Sequence, residues 1–155
     1  MKAHRIIKVQ VLKTDITTAW DYFSSPGNLA EITPDWLNFQ ILSDIPDKMY
    51  GGLIVQYNIY PFLGLPVGWV TEITHTNEPY YFVDEQRAGP YKLWHHQHHF
   101  KETSEGVEMT DIVHYMLPLE PVSYMLIGGI VRKKLDEIFS YRFSKLKALF
   151  NLQNT

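Results

Sequence analysis

Hydrophobic and polar positions alternate from residue 3 to 12, with Ile7, Val9 and Val11 on one face and Ile6, Lys8 and Gln10 on the other. That period of two predicts a half-buried β-strand. The period then lengthens. Thr14-Asp15 offers a helix N-cap, and Ile16, Ala19, Trp20 and Phe23 follow at helical spacing. Ser25-Pro26 predicts a second short helix, capped by Ser25, with Pro26 at the first helical position where its missing N–H costs nothing. Leu29 and Ile32 give that helix an apolar side, and Pro34 ends it. Strand-like runs come next, at 37–45, 51–60, 66–76, 80–87, 91–102 and 107–116. They are separated by Tyr50-Gly51-Gly52, Pro61 to Gly68, Asn77-Glu78-Pro79, Ala88-Gly89-Pro90 and Ser104-Glu105-Gly106, all of them turn chemistry. Connections this short predict antiparallel neighbours. Beyond Leu117-Pro118-Leu119-Glu120-Pro121, an amphipathic helix is predicted over 122–150, with Val131, Leu135, Ile138, Phe139, Phe143, Leu146, Leu149 and Phe150 along one side. The order is strand, two helices, six strands, long helix. It predicts an α+β fold in which a curved antiparallel sheet packs on one long helix, with 1–155 as a single domain.

Composition narrows the function classes. The chain has 155 residues, 45% of them apolar and 20% charged, which excludes a disordered segment. Eight Phe, four Trp and ten Tyr are enough both to fill a core and to line a pocket. The absence of cysteine excludes a disulfide scaffold, a thiolate metal site and a cysteine nucleophile together. A net charge of −3 offers no field for steering nucleic acid, so no nucleic-acid partner is expected. Met1-Lys2-Ala3-His4 runs straight into the first strand without a secretory leader, and no apolar run has the length of a membrane span. The expectation is a cytoplasmic protein. Between Arg132 and Lys147 six basic residues (Arg132, Lys133, Lys134, Arg142, Lys145, Lys147) stand against Asp136 and Glu137. This reads as a solvated helix face, with membrane contact at most transient. Nothing in the composition specifies an oligomeric state.

Several segments carry a family resemblance. They are Asn28-Leu29-Ala30-Glu31-Ile32-Thr33-Pro34-Asp35-Trp36-Leu37, Gly64-Leu65-Pro66-Val67-Gly68-Trp69, Phe82-Val83-Asp84-Glu85-Gln86 with Gly89-Pro90-Tyr91, and Ile138-Phe139-Ser140-Tyr141-Arg142. Together with the element order, they resemble the START-like (SRPBCC) superfamily, and within it the bacterial ligand-binding SRPBCC domain group. The resemblance implies a helix-grip fold, a seven-stranded sheet wrapped around the C-terminal helix. It also implies a cavity between sheet and helix for an apolar or amphipathic small molecule such as a lipid, a fatty acid or an aromatic polyketide. Enzymatic relatives include polyketide cyclases and aromatases, but no catalytic motif of theirs can be placed here.

The densest chemistry is Trp94-His95-His96-Gln97-His98-His99-Phe100. Alternation puts Trp94, His96, His98 and Phe100 on one face, and their bulk points that face inward, with the Cα atoms of His96 and His98 about 6.7 Å apart. Three readings of the two histidines stay open. They line a pocket as satisfied polar groups, they hydrogen-bond a ligand's polar head, or they begin a metal site. The last lacks a thiolate and an evident third histidine, and neither metal nor cofactor is expected.

Register estimates from the turns place His98 opposite Asp111 and His96 opposite Val113. They also place Asp84 opposite Trp94, Phe82 opposite His96, Thr71 opposite Asp84, and Trp69 opposite Gln86. The inward face then holds Asp84, Gln86, His96, His98 and Asp111 among Tyr57, Trp69, Trp94 and Tyr115, with Thr71 and Phe139 completing the expected ligand site. Asp111 with His98 is the leading pair, and the partnership should raise the His98 pKa. The same pair supplies the alternative function, a cyclase-like or hydrolytic enzyme with His98 and Asp111 as its catalytic candidates. No Ser in a nucleophile-elbow context and no Gly-rich phosphate loop accompanies them, so a binding module leads. Gly128-Gly129 weakens the start of the last helix. It reads either as close packing or as a mobile gate near the Pro61-Phe62-Leu63-Gly64 tip.

Overall fold

Strand β1 (His4–Leu12) forms as the alternation predicts and lies at one edge of the sheet. The computed structural model describes residues 2–62 and 64–151. Of the β1 side chains, Ile6 and Leu12 are buried, whereas Ile7 and Val9 face outward. Lys8 and Gln10 share the inner side because the C-terminal helix meets them there. Lys8 Nζ lies 3.0 Å from Asp136 Oδ1, and Gln10 Nε2 donates to the Phe143 carbonyl at 2.9 Å.

Helix α1 (Ile16–Phe23) is capped by Asp15, whose carboxylate accepts from the Thr18 amide at 2.9 Å and from the Thr18 hydroxyl at 2.6 Å. Its Ile16, Ala19, Trp20 and Phe23 are buried against Leu12, Phe82, Phe100 and Met109. The second short helix expected here is instead two 3₁₀ turns, Pro26–Leu29 and Asp35–Leu37, and the Ser25 side chain makes no capping bond. Pro26 and Pro34 leave too few residues between them for an α-helix to overcome its nucleation cost. Thr33 also turns its hydroxyl onto the Leu29 carbonyl at 2.6 Å.

The remaining strands are β2 (Gln40–Ile41), β3 (Ile54–Phe62), β4 (Leu65–Asn77), β5 (Tyr81–Ala88), β6 (Leu93–Thr103) and β7 (Gly106–Met116). Only two residues of the expected 37–45 strand pair, because Leu37 closes a 3₁₀ turn and Asn38 follows it in the left-handed region (φ 43°). All neighbours are antiparallel, in the order β1-β7-β6-β5-β4-β3-β2. The Gly106 turn is built on a close approach. At φ 130°, a Cβ there would stand 2.2 Å from the Leu12 carbonyl oxygen.

Helix α2 (Val122–Asn151) lies over the inner face of this sheet, giving the α+β helix-grip architecture. Its buried stripe is Leu135, Phe139, Arg142 and Leu146. This corrects the expected stripe at one position, since Phe143 is 48% exposed and Arg142 only 9%. Stripes through 142 and through 143 both fit helical spacing. Position 142 faces inward because the sheet beneath it carries carboxylates that a guanidinium can offset.

Candidate functional site

Four polar side chains meet on the inner face of β5, β6 and β7: Asp84, His96, His98 and Asp111. The β6–β7 register is the expected one, with His98 opposite Asp111 and His96 opposite Val113. The β5–β6 register is shifted by two residues, so Asp84 lies opposite His96, not Trp94, and Phe82 opposite His98, not His96. In β4–β5, Thr71 pairs with Gln86, not Asp84, and Asp84 faces Ile73, with irregularities at Val70/Thr71 and Ile73/His75. The expected Trp69–Gln86 pairing does not form. An even shift keeps every side chain on its face while changing its neighbours.

The result is a crossed network. His98 Nε2 donates to Asp84 Oδ2 at 2.7 Å, and His96 Nε2 donates to Asp111 Oδ1 at 2.9 Å. The second nitrogens complete the ring: His98 Nδ1 lies 3.0 Å from Asp111 Oδ1, off its hydrogen-bonding axis, and His96 Nδ1 lies 3.5 Å from Asp84 Oδ2. The expected His98–Asp111 contact therefore exists, but the directed bond of each histidine goes elsewhere. The imidazole centroids are 3.7 Å apart, and Phe82 stacks on His98 at 4.1 Å. Arg142 reaches in from α2, with Nη1 3.7 Å from Asp111 Oδ1.

Burial works against every charge in this cluster, and the neighbours decide each outcome. For His98, burial alone pushes the pKa down, but the hydrogen bonds and charges of Asp111 and Asp84 together outweigh it and raise it. For His96, burial and the adjacent His98 charge prevail over the carboxylates and lower it. Burial pushes both carboxyls up, yet the two imidazoles, joined at Asp84 by Arg142, hold them below the usual range. Two carboxylates thus face the Arg142 guanidinium and two imidazoles, of which His98 is shifted toward its charged form and His96 toward its neutral one.

Three clefts, each partly open to solvent, border the cluster. One of about 160 Å³ is lined by Phe23, Met49, Thr71, Asp84, His96 and His98. A larger one, about 460 Å³, lies under α2 among Phe39, Ile59, Tyr91, Leu135, Ile138 and Phe139. The two adjoin, sharing Leu29, Tyr57, Trp69, Trp94, His96 and Arg142. A third, about 390 Å³, runs between β1 and α2 past Asp111, Phe139 and Arg142. Arg142 borders all three. Its Nε and Nη1 are buried without hydrogen-bond partners among the described residues.

Most of the residues expected at a ligand site border these spaces, and two do not. Tyr115 is fully buried among Ile6, Val113, Leu135 and Phe139, so it packs the core. Gln86 brackets the β5–β6 turn, donating to the Tyr91 carbonyl at 2.6 Å and accepting from its amide at 3.1 Å. Arg142 is the member that sequence reasoning misplaced, having assigned it to the solvated basic face. Two inward carboxylates without a cation on the sheet were the available signal. The glycine pair at 128–129 starts α2 where Met125 and Leu126 are 83% and 76% exposed, while Ser123, Ile127 and Val131 rim the larger space. Gly128 is closely approached by the Tyr124 ring, whereas Gly129 has open space. Leu63, in the hairpin tip of the expected gate, lies outside the described residues.

No family model matches the chain, and no curated protein matches it. Solved structures do. A protein from Thermus thermophilus, TTHA0849, superposes with TM-score 0.72 at 12% identity, covering 98% of this chain and 100% of that one. Protein Ms6760 from Mycobacterium smegmatis gives 0.67 at 15% identity, with 96% of each chain covered. The ginseng major latex-like protein 151 from Panax ginseng gives 0.65 at 17% identity, covering 96% and 97%. These likenesses establish the fold, an open antiparallel sheet with a long C-terminal helix. No helix among the described residues is long and apolar enough to cross a membrane.

Proposed function

We propose that the protein binds a small amphipathic molecule, as the bacterial ligand-binding SRPBCC domains it resembles do. The apolar body occupies the space of about 460 Å³ under α2, and the polar head meets the Asp84–His96–His98–Asp111–Arg142 cluster. One observation carries this reading: apolar-walled spaces converge on Arg142, whose buried Nε and Nη1 have no hydrogen-bond partner among the described residues, Nη1 reaching Asp111 only at 3.7 Å. A buried donor left unpaired costs about 1–3 kcal/mol, which a ligand oxygen or carboxylate would recover. The volume lies within the range of small-molecule sites. Passage is proposed at the rim formed by Leu117, Pro118, Ser123 and Ile127, beside the exposed Met125 and Leu126.

The test is native mass spectrometry on protein purified without detergent, followed by displacement of a fluorescent fatty acid. A co-purifying mass, and displacement that weakens in Arg142→Met, support the reading. Protein that never takes up the probe refutes it. The runner-up, a cyclase-like or hydrolytic enzyme, is favoured by the hydrogen-bonded His98 facing the smaller space. It requires His98→Ala to retain binding and abolish turnover of the ligand so identified.

A further inference from the structure

The crossed network has an asymmetry that a purely structural role does not need. On one side, Asp111 Oδ1 takes the His96 Nε2 hydrogen at 2.9 Å, lies 3.0 Å from His98 Nδ1, and is flanked by Arg142. On the other side, His96 Nδ1, His98 Nε2 and Asp84 Oδ2 converge, with the carboxylate oxygen 3.5 Å from His96 Nδ1 and 2.7 Å from His98 Nε2. One donor atom from each of the three residues lies within 4.8 Å of the others. The two sides face different spaces: Asp84, His96 and His98 all border the one of about 160 Å³, whereas Asp111 borders the one of about 390 Å³.

We propose that Asp84, His96 and His98 form a binding site for a divalent first-row transition metal ion, open on one side to the interior space. Two imidazoles and a carboxylate suit zinc, iron(II) or cobalt(II), and are poorly suited to magnesium or calcium, which take oxygen donors. A tetrahedral ion with bonds of about 2.0–2.2 Å needs its donors about 3.3–3.5 Å apart. The His96–Asp84 spacing of 3.5 Å already meets this, the His98–Asp84 spacing of 2.7 Å must open by under about 1 Å, and the two nitrogens lie within 4.8 Å of each other. Asp111 plays the second part such sites require. It accepts from His96 Nε2, fixing His96 as the tautomer whose Nδ1 lone pair is free for the ion, and lies 3.0 Å from the far nitrogen of His98. Three protein ligands leave one coordination position, and the geometry turns it toward the cavity where the polar head of an amphipathic ligand is proposed to sit. Such an ion would add a Lewis-acidic contact to that head. The proposal goes beyond the binding reading and needs no organic ligand for its test.

The experiment is titration of chelator-treated protein with Zn²⁺ by calorimetry, and with Co²⁺ by visible absorption. One equivalent of Zn²⁺ should bind saturably, and Co²⁺ should show the d–d bands of a four- or five-coordinate ion. His96→Ala and His98→Ala should each lower affinity by at least about 100-fold, and Asp111→Asn by about 10–100-fold. His95→Ala, which removes an outward ring paired with Glu85, should change nothing. A readout without variants is ¹⁵N NMR of the imidazoles. Zn²⁺ should move the ring signals of two of the seven histidines and leave the others in place. No saturable binding overturns the proposal. So does binding lost in His95→Ala and retained in His98→Ala, or Zn²⁺ shifts confined to the other histidines.

Discussion

Truncation of Phe139 tests whether α2 grips the sheet as described. The ring is 6% exposed and packs with Ile6, Val113, Tyr115 and Leu135. Its edge meets His96 at 5.9 Å, and the Arg142 guanidinium lies 5.5 Å from its centroid. Removing it to Ala forfeits a transfer term of about 2–3 kcal/mol. Vacating roughly 100 Å³ adds about 2 kcal/mol at about 24 cal/mol per Å³, if nothing moves in. Two effects pull this total down. The ring already borders spaces of about 390 and 460 Å³, so fewer contacts are lost than in a filled core. The polar walls at Arg142 and Asp111 also let water enter the vacated volume. The expected loss is therefore about 3–4 kcal/mol, in the lower half of the range for aromatic truncations. Urea unfolding followed by fluorescence should show the midpoint fall with an unchanged slope. A loss below about 1 kcal/mol would mean that the ring is not clamped between helix and sheet, and the helix-grip description of α2 would fail at its centre.

Three further perturbations examine separate links. Leu146→Ala should cost about 2–5 kcal/mol, because the side chain is 1% exposed, while Phe143→Ser should stay within about 0.5 kcal/mol; equal effects in thermal melts would contradict the stripe through Arg142. Gly106→Ala should destabilise by at least about 2 kcal/mol, since its Cβ meets the Leu12 carbonyl at 2.2 Å and its φ of 130° disfavours any side chain. A fully stable Gly106→Ala protein in denaturant would show that the β7 turn does not abut β1. Gly129→Ala, with open space around it inside α2, should instead stabilise by about 0.5–1 kcal/mol. A lower melting temperature would mean that the first turns of α2 depend on the flexibility of that glycine.

What the chain discloses by itself depends on which physical signal carries it. The inward facing of Trp94, His96, His98 and Phe100 was legible because side-chain direction in a strand follows from parity alone, and the bulky apolar residues at 94 and 100 fix which parity is buried. The neighbours of those residues are a different quantity. They depend on how many residues each turn consumes and where a bulge interrupts pairing. The tight Thr103–Gly106 turn gave the β6–β7 register correctly, whereas the turn after Ala88 consumes two more residues than a minimal hairpin and moves Asp84 from Trp94 to His96. That shift changes the chemistry. Opposite Trp94, Asp84 would have been a lone buried carboxylate; opposite His96, it becomes the third donor facing two imidazoles. Arg142 was lost to a similar ambiguity, since residues 142 and 143 both satisfy a helical stripe and hydrophobicity alone selects the phenylalanine. Electrostatics reverses that choice. A sheet face that carries Asp84 half-buried and Asp111 buried calls for a cation, and the helix crossing it supplies one. Parity alone had already put both carboxylates on the inner face, so the need for a cation was legible there; the two-residue shift in one hairpin hid only the convergence of Asp84 with the two imidazoles.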